Sequence, residues 1–189
     1  MDLMIAFDIW LFRLVNGVLT APFLDSLMVY VTSKSNFLGV IIVAAALILV
    51  FGRRQDRVGL FILVAVVGTS DLTCNAFKHL FMRIRPCHAL EGVRLLVGCG
   101  GAYSMPSGHA TNIFAAMVFL SLRYKKVSPF FLAIASVVAY SRVYVGAHYP
   151  SDVVVGAALG TAIAMLYRQA ETKLPAYYRN RKERREGGF

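Results

Sequence analysis

The sequence predicts an all-α bundle of helices embedded in a membrane, and three observations carry that reading. Hydrophobic residues make up 58% of the 189-residue chain and the mean hydropathy is +0.62, both well above what a soluble domain carries. Five apolar runs, at about 36–52, 57–80, 108–124, 128–145 and 151–168, each come close to or exceed the length needed to cross a bilayer core. None of them alternates with the two-residue period of a barrel strand, and lipid cannot satisfy any other open backbone, so the spans are helices.

Taken in order, residues 1–33 are the least regular. Asp2, Asp8, Arg13 and Asn16 fall on one broad arc of a helical projection of this otherwise apolar stretch, which predicts an amphipathic helix lying in the interface, with an imperfect sixth span as the alternative. The stretch lacks the basic start and small-residue cleavage site of a secretory signal and is expected in the mature chain. Residues 34–170 form the transmembrane domain, with five to six spans in all. In the last run Gly156 and Gly160 make a small-xxx-small pair that lets a neighbouring helix approach closely.

Charge gives the orientation. Thirteen of the 20 Lys and Arg sit on one side: Arg53, Arg54 and Arg57, then Arg123, Lys125 and Lys126, then seven from Arg168 onward. Short cytoplasmic loops retain positive charge, so the loop 81–107 faces outward and residues 171–189 form a basic cytoplasmic tail. That tail predicts solvation near anionic headgroups; without aromatic interleaving or a recognisable motif it does not predict nucleic-acid binding.

The chemistry-bearing residues gather where the outward ends of the helices should lie. Along the second run Asp71, Asn75, Lys78, Met82 and Arg85 recur at helical spacing, turning polar groups to one face. At "YSMPSGHATN", Ser107 suits an N-cap, Pro106 and Gly108 shape the turn, and the amides that follow suit an anion. His109 then lies in the first helical turn, able to exchange a proton near neutral pH. In "SRVYVGAHYPSD", His148 stands four residues before Asp152, a spacing that lets a carboxylate orient an imidazole and free its other nitrogen as a nucleophile. Taken singly, Lys78 and Arg85 also suit snorkelling cations, His109 a structural histidine and Asp152 a helix cap. Three cations near two histidines repel a metal, and no metal or cofactor is expected.

Together these stretches resemble the type 2 phosphatidic acid phosphatase family, whose signature has three blocks. Lys78, six residues, Arg85 and Pro86 match the first; Pro106, Ser107, Gly108 and His109 match the second; Ser141, Arg142, five residues, His148, three residues and Asp152 match the third. The resemblance implies metal-free phosphoryl transfer in which His148 attacks phosphorus. Lys78, Arg85, Ser107, Gly108 and Arg142 would hold the phosphate oxygens, His109 would protonate the leaving oxygen and Asp152 would orient His148. Asp71, through Asn75, is expected to support Lys78 from behind. The implied substrate is a lipid phosphate met at the outer face of a bacterial inner membrane. Undecaprenyl pyrophosphate leads, with the 1-phosphate of lipid A, phosphatidylglycerophosphate and phosphatidic acid as alternatives, and a non-enzymatic lipid transporter or scaffold as the reading from another class.

Of the three cysteines, Cys74 lies inside the second run, whereas Cys87 and Cys99 bracket the outward loop. An oxidising exterior favours a bridge between these two, with free thiols as the alternative.

Overall fold

The computed structural model describes the backbone of residues 2–186 and the side chains of residues 3–173. Among the described residues eight α-helices follow one another: α1 Asp2–Arg13, α2 Pro22–Thr32, α3 Ser35–Phe51, α4 Arg54–Phe81, the short α5 Pro86–Ala89, α6 Gly108–Arg123, α7 Ser128–Tyr144 and α8 Pro150–Glu186. The only extended pairing among the described residues is a single antiparallel bridge between Ile84 and Tyr103. The basic tail expected at 171–189 lies, beyond Lys173, outside the residues whose side chains are described.

Helices α3, α4, α6, α7 and α8 occupy the five apolar runs. Three of them, α4, the stretch Lys125–Tyr144 and α8 through Lys173, are long and apolar enough to cross a bilayer alone. α3 and α6, with 17 and 16 residues, fall short of roughly 20. For α6 the shortfall has a physical setting: it packs against α8, α7 and α4 and is shielded from lipid by its neighbours. The glycine pair sits at its closest contact. A Cβ on Gly156 would lie 2.7 Å from the Ser107 carbonyl, and one on Gly160 would run into the Thr111 carbonyl, so only glycine lets α8 lie this close to α6. α3 is the opposite case, with no buried residue and with Val40, Ile41, Ile42 and Val43 all more than half exposed, as a lipid-facing helix requires.

The N-terminal segment departs from the expected single helix. α1 and α2 meet at 115°, across a widened turn at Leu14–Val18 and the break before Pro22. Proline holds the preceding residue extended, and Ala21 is extended at φ −152°. Two residues of the polar arc, Asp8 and Asn16, point inward and are buried, whereas Arg13 is exposed along with Leu3, Met4, Phe7 and Trp10. Each inward group has partners that explain its direction. Asn16 donates to the carbonyls of Arg94 and Tyr144 at 2.8 and 2.7 Å, and Asp25 of α2 pairs with Arg94 at 2.8 Å and accepts from the Tyr144 hydroxyl at 2.6 Å. The segment is thereby tied to the loop end of the bundle, where an apolar cluster of Phe12, Val15, Met28, Val143, Tyr144 and Tyr149 backs the polar groups.

Candidate active site

Two backbone devices frame the site. Residues 83–85 run antiparallel to residues 102–104, with Ser104 N–H on the Arg83 carbonyl at 2.7 Å and Arg85 N–H on the Ala102 carbonyl at 3.2 Å. After α7 the chain turns sharply at Gly146, whose φ of +83° and closeness to the Arg94 carbonyl exclude a side chain. In that turn the Arg142 carbonyl accepts the N–H groups of both Ala147 and His148 at 3.2 Å, which delivers the His148 ring to the centre of the site.

His148 is 1% exposed. Its Nε2 lies 3.1 Å from Nη1 of Arg85, and a guanidinium can only donate, so Nε2 carries a lone pair and the proton sits on Nδ1. Nδ1 faces Ser104 Oγ at 3.3 Å, and Ser104 Oγ donates to Oδ2 of Asp152. The direct contact expected between Asp152 and His148 spans 3.7 Å, too long for a hydrogen bond, so the serine hydroxyl links them. Burial pushes the His148 pKa down to about 4; Arg85 and Arg142 act in the same direction and Asp152 opposes them.

Asp152 is fully buried and saturated. Besides Ser104, Oδ2 accepts the Tyr149 N–H at 2.8 Å, and Oδ1 accepts Arg83 Nη1 at 2.8 Å.

Arg85 meets the Nε2 lone pair, and Lys78 and Arg142 lie within reach of it. Arg85, 7% exposed, is clamped by the carbonyls of Gly101 at 2.5 Å and Ala147 at 3.2 Å, and burial lowers its pKa. Lys78 reaches the Tyr103 carbonyl at 3.5 Å, and Lys78, Arg85 and Arg142 lie within electrostatic reach of one another. Arg142, 6% exposed, donates through Nη1 to Thr32 at the end of α2. Its Nε has no partner among the described residues, nor has the buried hydroxyl of Ser107. Ser107 does occupy the N-cap position of α6, but its side chain makes no cap bond. His109 is half-buried on the first turn of α6, beside Gly108, and faces Arg142, Lys34 and His148.

Asp71 and Asn75 do not join this cluster. Asp71 accepts from Asn75 at 3.3 Å and from Asn112 of α6 at 2.9 Å, so it fastens α4 to α6; the hydrogen bond from Lys78 goes to Tyr103 instead. Cys87 and Cys99 are joined by a disulfide with Cα atoms 6.3 Å apart, closing the loop whose far end supplies the Arg85 clamp, and Cys74 is a buried free thiol. Four residues that matter to this geometry carry no signal in the motif spacing: Asp8, Thr32, Arg83 and Ser104.

A lone pair aimed into buried cations, at the mouth of membrane helices, is fitted to attack on a lipid-borne phosphate, and comparison with known proteins gives the class. The PAP2 superfamily's model matches residues 59–175, more than half of the chain. The chain belongs to that superfamily and is an integral-membrane hydrolase of phosphate esters. It is 36% identical over 172 residues to the undecaprenyl-diphosphatase of Sulfolobus acidocaldarius, a match covering 90% of this chain and 82% of that one. It is 32% identical over 163 residues to the lipid A 4'-phosphatase of Porphyromonas gingivalis, covering 81% and 68%. The crystal structure of Aquifex aeolicus LpxE superposes with a TM-score of 0.71 at 26% identity, covering 85% of this chain and 94% of that one. A transmembrane PAP2 type phosphatidylglycerolphosphate phosphatase from Bacillus subtilis shares the fold, with a TM-score of 0.74.

Proposed function

We propose that this protein hydrolyses the phosphate mono- or diphosphate ester of a membrane lipid through a phosphohistidine on His148. The observation that carries the reading is the setting of His148 Nε2, an unprotonated nitrogen 3.1 Å from a buried guanidinium, together with two buried donors of the motif residues, Ser107 Oγ and Arg142 Nε, that have no partner among the described residues. A phosphoryl group meets both needs, since its oxygens accept from those donors while its phosphorus faces the lone pair.

In the first step Nε2 bonds to phosphorus as the bond from phosphorus to the lipid oxygen, or to the bridging oxygen of a diphosphate, breaks. His109, in its protonated form, gives its proton to that leaving oxygen. Lys78, Arg85, Arg142, Ser107 Oγ and the Gly108 amide hold the non-bridging oxygens, and the Ser104–Asp152 pair supports the charge growing on the His148 ring. In the second step neutral His109 takes a proton from water, whose oxygen attacks phosphorus; the nitrogen–phosphorus bond breaks and inorganic phosphate leaves.

Undecaprenyl diphosphate is the leading substrate, supported by the relative that matches more of both chains. Lipid A phosphate is the second reading, supported by the Porphyromonas relative. The site end faces the periplasm or exterior of a bacterial inner membrane, and the arginine-rich end with the tail faces the cytoplasm. The test is phosphate release by detergent-solubilised protein in the presence of chelator, across prenyl diphosphates, lipid A and glycerophospholipid phosphates. Release from prenyl diphosphate fastest of all supports the leading substrate. Preference for lipid A transfers the assignment to the second reading, and no release from any lipid phosphate overturns the function.

A further inference from the structure

Asp8 stands 75 residues before Arg83 in the sequence, yet it touches the machinery behind His148. It is 7% exposed on α1, and its Oδ2 lies 2.6 Å from Arg83 Nη2. It also accepts the N–H of Ser151 at 2.9 Å and the Ser151 hydroxyl at 2.5 Å, so it caps the N-terminus of α8 from another helix. The other nitrogen of the same guanidinium, Arg83 Nη1, donates to Asp152 Oδ1 at 2.8 Å, and the guanidinium stacks 4.0 Å over the Tyr149 ring. One arginine therefore bridges two carboxylates, and only one of them belongs to the relay.

The charge count gives the arrangement its consequence. Arg83 paired with Asp152 alone would form a neutral couple and cancel the field that Asp152 exerts on His148. Shared with Asp8, the trio carries one net negative charge behind Ser104, where positive charge develops on the imidazole as Nε2 bonds to phosphorus. We propose that Asp8 is a positioning residue for the reaction: by sharing Arg83 with Asp152 it keeps that carboxylate both oriented and electrostatically active toward His148. The proposal rests on His148 being the nucleophile. The other groups facing His148 are Arg85 and Ser104 from the loop between α4 and α6, Arg142 from α7 and His109 from α6, with Lys78 of α4 behind Arg85. None of these is altered in the variants below.

The test uses the purified full-length protein in detergent micelles with farnesyl diphosphate, measuring kcat, KM, the pH profile of kcat/KM and the thermal midpoint. Using one substrate throughout cancels the substrate's own ionisation. Asp8→Asn should lower kcat about tenfold with KM within about twofold, and Asp8→Glu should recover most of that loss. Arg83→Gln removes the positive member of the trio, so His148 protonates more readily and the acid limb of kcat/KM should move to higher pH, while Asp8→Asn should never move it upward. A role confined to folding predicts a lowered thermal midpoint with unchanged kcat per folded molecule and unmoved limbs, and that result overturns the proposal. Should Asp8→Asn fail to fold, the Arg83→Gln profile and the Asp8→Glu kcat decide the matter alone. An unshifted limb in active Arg83→Gln protein also overturns it. His148→Ala is run alongside: retained activity there overturns the nucleophile assignment itself, whereas an inactive His148→Ala with unaffected Asp8→Asn overturns only the role of Asp8.

Discussion

The two histidines of the site sit in contrasting surroundings. His148 is enclosed, with Arg85 on one ring nitrogen and the Ser104–Asp152 pair on the other, and every one of these partners is itself fixed by further bonds. His109 is half-buried on the first turn of α6, and its ring has no hydrogen-bond partner among the described residues. A nucleophile gains from being held in one tautomer and one direction before substrate arrives. A general acid must instead meet a leaving oxygen that the substrate brings, so its partner enters with the lipid. The asymmetry between the rings thus matches the division of labour assigned to them.

The comparison breaks most visibly at His148. His148→Ala should lower kcat by about 10⁴-fold or more, since no other group offers a lone pair at that point, and phosphate release by the purified variant checks it. His109→Ala should lower kcat/KM, which reads the first step alone, by about 10²- to 10⁴-fold on a lipid phosphate but far less on an aryl phosphate, whose phenolate leaves without a proton. An equal loss on both substrates would remove the general-acid role and with it the contrast. Asp152→Asn should cost about 10²-fold, less than His148→Ala, because the imidazole stays but loses its orientation.

The pH profile sharpens the same point. In the proposed mechanism His148 attacks in its neutral form, and burial holds its pKa near 4 where the ordinary value is 6.5, so kcat/KM should keep its nucleophile down to about pH 4. The stability sign follows from the same shift. Between pH 6.5 and 4 the unfolded chain binds a proton at this residue that the folded chain refuses, so this group's contribution weakens stability as pH falls through that window. A thermal midpoint that rises on acidification through it would contradict the assignment.

The smallest effect concerns the loop. Replacing Cys87 and Cys99 with serine should lower stability by roughly 2–4 kcal/mol, seen as a lower thermal midpoint, with a modest loss of kcat through the Gly101 carbonyl that clamps Arg85.

Much of this architecture was legible in the chain because it is local. Apolar runs mark the spans within a few residues, and the Gly156–Gly160 pair announces the close contact between α6 and α8. What escaped was long-range. The hydrogen bond from Ser151 to Asp8 joins residues 143 positions apart, Arg142 to Thr32 spans 110, and Asp152 to Ser104 spans 48. Spacing within a helix cannot reveal such pairs. A weaker signal was available for one of them, since a carboxylate in "LMIAFDIWLF" needs a cation near lipid, and Arg83 stands in the loop after α4 between fixed motif positions. Asp71 teaches the converse. Its helical register is real and brings Asn75 to it at 3.3 Å, but its other partner is Asn112 of α6 at 2.9 Å, and Lys78 turns to the Tyr103 carbonyl instead of completing the chain along the helix.

The most direct test of the account is to stop the reaction between its two steps. Wild-type protein mixed with ³²P-labelled lipid phosphate and quenched in alkali, which preserves phosphohistidine, should carry acid-labile label that peptide mapping places on His148. The label should be absent from His148→Ala and should accumulate in His109→Ala when an aryl phosphate donor is used, since water then lacks its base. Label on another residue, or turnover in His148→Ala protein, would contradict the central claim.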